Sequence, residues 1–148
     1  MATPTLQQAI DTYKKYVGLT RAQLQKSAPW LKGRPNMLDC AAAFSYVSGT
    51  KPEIISCGTW VQHFKNQHVW HTTGLPKRGD VLIFSWDGLG MRDDGGSHDH
   101  IGLCVEDVDA KKKTVSYLSA DSGSAKIVDL HEVSLRYVAG YARFVWSK

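Results

Sequence analysis

The apolar residues of this chain change their period partway along it. Up to about residue 74 they recur at helical spacing, and from residue 79 they alternate. In "TPTLQQAIDTYKKYVGL", Leu6, Ile10, Tyr13 and Val17 share a helix face, with Thr3 or Thr5 as the cap and Gly18 at the end. A short helical piece follows in "TRAQLQKSAPWL", and "KGRPN" at 32 to 36 is a loop. The next helix begins near Cys40 and runs to about Val47, where Ser48 and Gly49 stop it. Ser56 caps a further helix carrying Trp60, Phe64 and Gln67, which ends before Gly74 and Pro76. The segments 79–86, 100–106, 114–120, 126–133 and 139–146 then read as strands. Helices followed by consecutive strands on short turns predict an antiparallel sheet with helices on one side, an α+β domain.

A chain of 148 residues suffices for one core, so residues 1–148 are expected to form a single domain. Hydrophobic residues at 43% and charged residues at 22% exclude a disordered tail. No apolar stretch approaches the ~18 residues of a membrane span, and "MATPTLQQAI" lacks the apolar centre of a signal peptide. Synthesis in a cytoplasm without membrane insertion is therefore expected, with any export needing outside help. The net charge of +4 is dispersed, and "DAKKK" at 109 to 113 reads as a solvated hairpin turn, so nucleic acid is not an expected partner. Cys40, Cys57 and Cys104 cannot all pair within one chain, and free thiols are expected.

Of these thiols Cys40 stands out, because "LDCAAAFSYVSG" places it at a helix start. There the positive end of the helix dipole and the unpaired first-turn N–H groups favour thiolate. Ala41, Ala42 and Ala43 allow a close approach by a neighbouring element, and Phe44 and Val47 anchor the helix. The alternative is a small buried hydrophobe, the ordinary fate of a free cysteine.

A nucleophile needs a base, and "SHDHIGLCVE" offers one. On a strand, His100, Gly102 and Cys104 share one face, with Ile101, Leu103 and Val105 on the other. The small residues on the histidine face and on the Cys40 helix predict that these two surfaces meet, bringing imidazole to sulfur. A paired Cys and His can attack an acyl carbon and protonate the leaving amine. His98 and His100 with Cys40 or Cys104 would suit a metal, but the paired spacing of zinc sites is missing, so neither metal nor cofactor is expected. His63, His68 and His71 read as surface residues, and His131 has no evident partner. Asp87, Asp93, Asp94 and Asp99 lack calcium-loop spacing and read as the rim of a cleft.

Taken in order, "LDCAAAFSYVSG", "PKRGDVLIFSWDG", "HDHIGLCVE", "SADSG" and "VAGYARF" resemble the pattern of CHAP domains, the cysteine- and histidine-dependent amidohydrolases/peptidases, from about residue 37 to 145. The resemblance implies a papain-like fold, with N-terminal helices packed on a strongly curved antiparallel sheet of about five strands. It also implies cleavage of an amide bond in bacterial peptidoglycan, by an N-acetylmuramoyl-L-alanine amidase or a peptidoglycan endopeptidase. Carried over by position, Cys40 is the nucleophile and His100 the general base. Asp121 stands where the family has an imidazole-orienting asparagine, and Ser119 replaces the family's glutamate. Asp39 resembles a residue of a related branch, or caps the helix; the Cys40 N–H is an expected oxyanion donor. A phage-type lysin of this kind acts as a monomer, held in an infected cell until a pore forms or carried in a virion. Two alternatives stay open: a catalytically silent wall-binding or structural module, and a papain-like protease acting on proteins.

Overall fold

The computed structural model describes residues 3–31, 39–50, 53–92, 98–120 and 128–148, with Asp39 described by its backbone alone. Helix α1 spans Leu6–Tyr16 and opens on a capping box: Gln8 N–H donates to Thr5 Oγ1 (3.1 Å) and Thr5 N–H to Gln8 Oε1 (2.9 Å). The same device, Thr20 with Gln23, opens α2 at Arg21–Ser27. Helix α3 covers Asp39–Ser48. Helix α4 covers Cys57–Asn66, and its cap is Ser56, whose Oγ accepts the Thr59 N–H at 3.1 Å.

Six strands follow: β1 Trp70–His71, β2 Val81–Phe84, β3 His100–Cys104, β4 Thr114–Ala120, β5 Val128–Ser134 and β6 Val138–Ala142. They form one antiparallel sheet in the order β1-β6-β2-β3-β4-β5, so the last strand lies between the first two. The expected α+β class is what the chain adopts, with one strand more than the alternation predicts. That strand is β1, whose two residues are too few to show a period. Its Trp70 ring covers Gly140 of β6 so closely that any side chain at residue 140 would overlap it.

The sheet is apolar on both faces in its centre. Every residue of β2 and β3 is buried. On one face Val81, Ile83, Ile101, Leu103, Leu118 and Ala120 join Tyr13, Leu24, Phe44, Trp60 and Phe64 of the helices. On the other, Leu82, Phe84, Cys104, Val115, Tyr117 and Tyr141 form a second cluster. Each large apolar side chain so buried contributes about 1.5–3 kcal/mol.

This two-sided burial corrects one expectation. Helix α3 packs on β3 and β4 through the Ile101 and Leu103 face, not through the small-residue face of His100 and Gly102. Gly102 is small for another reason: a Cβ there would stand 2.7 Å from a Tyr117 ring carbon. The apolar face buries more surface against the helix than the small one could.

Strand β6 ends at Ala142, short of the expected 146; the next residue, Arg143, donates its N–H to the Val69 carbonyl at 3.0 Å and reaches Asp80 with its side chain. The guanidinium holds both carboxylate oxygens, Nε to Oδ1 at 3.0 Å and Nη2 to Oδ2 at 2.8 Å, and the Lys77 N–H donates to Oδ2 at 2.7 Å. The "DAKKK" segment is an exposed turn as expected, closed by the Lys111 N–H donating to Asp109 Oδ1 at 2.7 Å. Among the described residues no helix is long and apolar enough to cross a membrane.

Candidate active site

Cys40 is the second residue of α3, so its sulfur stands at the helix's positive end and its N–H has no intrahelical acceptor. Helix α3 packs over β3, whose first residue is His100. The thiol and the imidazole therefore meet at the N-terminal end of β3, not across a face of the strand. Both are nearly closed off from solvent, at 7% and 6% exposure.

Three donors converge on the Cys40 sulfur. The Cys57 thiol, with its Sγ 4.0 Å away, has the largest effect, followed by the hydrogen bond and charge of His100 and then the Ile101 backbone N–H. Together they outweigh burial and hold Cys40 well below the usual thiol range. Cys57 moves the opposite way, because its proton is engaged by Cys40, its surroundings are buried, and Asp99 adds a like charge. Of the two sulfurs, Cys40 is the one whose thiolate form is favoured, through its contacts with His100 and the Ile101 N–H.

The other side of His100 is also held. Its Nε2 lies 2.8 Å from the Ser119 Oγ on β4, in a buried contact. This leaves Nδ1 for the sulfur, and an imidazolium with Nδ1–H toward thiolate would donate its Nε2–H to the serine oxygen. The register places Leu103 opposite Leu118, so Ser119 falls opposite Gly102, on the same face as His100 and one pair further along the ladder. The rings of Phe84, Trp86 and Tyr117 surround the imidazole at centroid distances of 5.8, 5.9 and 6.1 Å. Trp86 is 46% exposed, and it forms the aromatic rim beside the histidine.

Cys40 and His100 are thus brought together, while Asp121 lies outside the described residues, as do Asp93 and Asp94 of the acidic rim. Asp39 begins α3, and its side chain is likewise undescribed. Of the remaining rim carboxylates, Asp87 accepts from Arg92 at 2.8 Å and Asp99 accepts the Trp86 N–H at 2.8 Å. Among the described residues, no group of three or more His, Cys, Asp or Glu side chains is placed to hold a metal ion. His98 sits beside Gly58 at the start of α4, with its Nδ1 buried and unpartnered among those residues.

Two contributors escape the sequence reading. Cys57 carries a signal that could have found it, since Ser56 reads as a cap and puts a second thiol in a helix's first turn. Tyr13 does not, because helical spacing gives it only a buried face. Its hydroxyl is fully buried and finds no partner among the described residues, and its pKa is driven up first by burial and then by the charge on Cys40. A cavity of about 280 Å³ lined by Trp30, Ala42, Ser45, Tyr46 and Glu53 lies on another side of α3 and includes neither Cys40 nor His100.

Comparison with known proteins gives no relative: no family model, no curated protein and no solved structure matches the chain.

Proposed function

We propose that the protein is a cysteine amidohydrolase of the CHAP type, with a papain-like arrangement of helix and sheet, that cleaves an amide bond of bacterial cell-wall peptide. The observation that carries the reading is a thiol at a helix start, held low by hydrogen bonds, beside an imidazole whose far nitrogen is fixed by Ser119. Cys40 thiolate attacks the scissile carbonyl carbon, forming an S–C bond and an oxyanion. The Cys40 N–H, which has no intrahelical acceptor in the first turn of α3, stabilises that oxyanion. His100 then gives its proton to the leaving amine, and in the second half takes one from the water that releases the acyl group. Ser119 keeps the ring oriented through both transfers.

The choice of peptidoglycan as substrate rests on the resemblance of five ordered segments to CHAP domains, and the basic balance of +4 suits a wall rich in phosphate and carboxylate. Trp86 offers an apolar surface against which a wall peptide or sugar can lie. Zymography on purified peptidoglycan and on casein tests the proposal. Clearing of peptidoglycan alone is the expected result, with mass spectrometry of the released muropeptides separating amidase from endopeptidase. Clearing of casein alone would favour a protease acting on proteins, and clearing of neither a silent module.

A further inference from the structure

We propose that Cys40 and Cys57 form an oxidation site, at which Cys57 converts a sulfenic acid on Cys40 into a reversible disulfide. The two sulfurs lie 4.0 Å apart in a buried contact, each in the first turn of its own helix. A disulfide needs about 2.05 Å between them, so each sulfur has to move by only about 1 Å, within reach of side-chain rotation with modest backbone adjustment. Cys104 is differently placed. It belongs to the cluster on the other face of the sheet, donates its S–H to the Glu106 carbonyl at 3.0 Å and is fully buried. Burial pushes its thiol up to about 12, whereas Cys40 and Cys57 retain 7% and 8% exposure.

The oxidant is a hydroperoxide. The Cys40 thiolate attacks its terminal oxygen, the O–O bond breaks, and an alkoxide or hydroxide leaves, giving Cys40–SOH. The Cys57 sulfur then attacks the sulfenic sulfur. An S–S bond forms, the S–O bond breaks, and the departing hydroxide takes the Cys57 proton as water. Two electrons pass from the sulfur pair to the peroxide, and a dithiol returns them. A thiolate poised for acyl transfer is also the form that peroxide attacks, and a neighbouring thiol intercepts the product before it reaches the irreversible sulfinic acid.

Disulfide formation depends only on the two thiols; its consequence for lysis rests on the amidohydrolase reading. The test treats the folded protein with hydrogen peroxide, blocks free thiols with N-ethylmaleimide and maps the digested peptides by mass spectrometry. A Cys40–Cys57 linked peptide that dithiothreitol abolishes is expected in the parent and in Cys104→Ser alike. In Cys57→Ser, with its fold checked by circular dichroism, dimedone should trap Cys40, and longer exposure should give a sulfinic acid that dithiothreitol does not reverse. Wall lysis by the parent should fall at least about tenfold on oxidation and return on reduction. A parent in which Cys40 reaches sulfinic acid as fast as in Cys57→Ser, or links to Cys104, would overturn the proposal. If the linked peptide forms while the untreated protein never clears walls, the oxidation site stands and the hydrolase reading fails.

Discussion

Ser119 Oγ stands 2.8 Å from Nε2 of His100, and that contact holds the imidazole from the side away from the Cys40 sulfur. Its removal should free the ring to rotate and to exchange tautomers. Ser119→Ala is predicted to lower kcat on purified walls by roughly tenfold to a hundredfold with little change in KM, as expected when an orienting partner and no substrate contact is lost. Ser119→Thr keeps the hydroxyl and should recover much of the rate. A Ser119→Ala protein within about threefold of the parent would transfer the orienting role to Asp121 or another group.

Cys57 is predicted to set the pH at which Cys40 becomes reactive. Its hydrogen bond is the largest influence holding Cys40 low, so the thiolate persists to a lower pH than an ordinary thiol allows. Removing the donor in Cys57→Ala raises the Cys40 pKa and empties the thiolate population at the acid end. The acid limb of Cys40 alkylation by iodoacetamide, followed by peptide mapping, should therefore move to higher pH. An unmoved limb would mean that His100 and the helix N-terminus suffice.

The Arg143–Asp80 pair is predicted to couple more strongly than Arg92–Asp87. The Asp80 side chain is 4% exposed and held bidentately, whereas Arg92 and Asp87 are 29% and 35% exposed. A double-mutant cycle by urea denaturation should give about 1–3 kcal/mol for the first pair and about 0–1 kcal/mol for the second. Equal couplings would mean that the buried carboxylate and bidentate geometry of the first pair add nothing over the exposed pair.

How much of this is legible in the sequence depends on how local the signal is. The start of α4 can be read from Ser56 and that of α1 narrowed to Thr3 or Thr5, of which Thr5 is the cap, because a cap and the apolar spacing after it lie within one turn. Strand β4 matches its expected bounds, since alternation over seven residues is unambiguous. In contrast, β2 and β3 are buried on both sides, so nothing in "VLIF" or "HIGLC" says which face receives the helix. That Cys40 and His100 come together is legible from their residue types and settings, though not by which side of the strand they meet. The Ser119 contact is not, because it depends on a cross-strand diagonal that only the register of β3 and β4 supplies. The approach of Cys57 to Cys40 likewise requires the starts of α3 and α4 to converge, a tertiary relationship without a local pattern.

The central claim is that Cys40 is the nucleophile, and its replacement by alanine is the most direct measurement. Cys40→Ala removes one sulfur from a buried position already flanked by Ala41, Ala42 and Ala43, and so should keep the far-UV circular dichroism of the parent. On purified peptidoglycan it is predicted to release no muropeptides above the no-enzyme level, because the proposed acyl transfer forms its bond to the Cys40 sulfur. A folded Cys40→Ala protein that clears walls at a rate comparable to the parent would contradict the account.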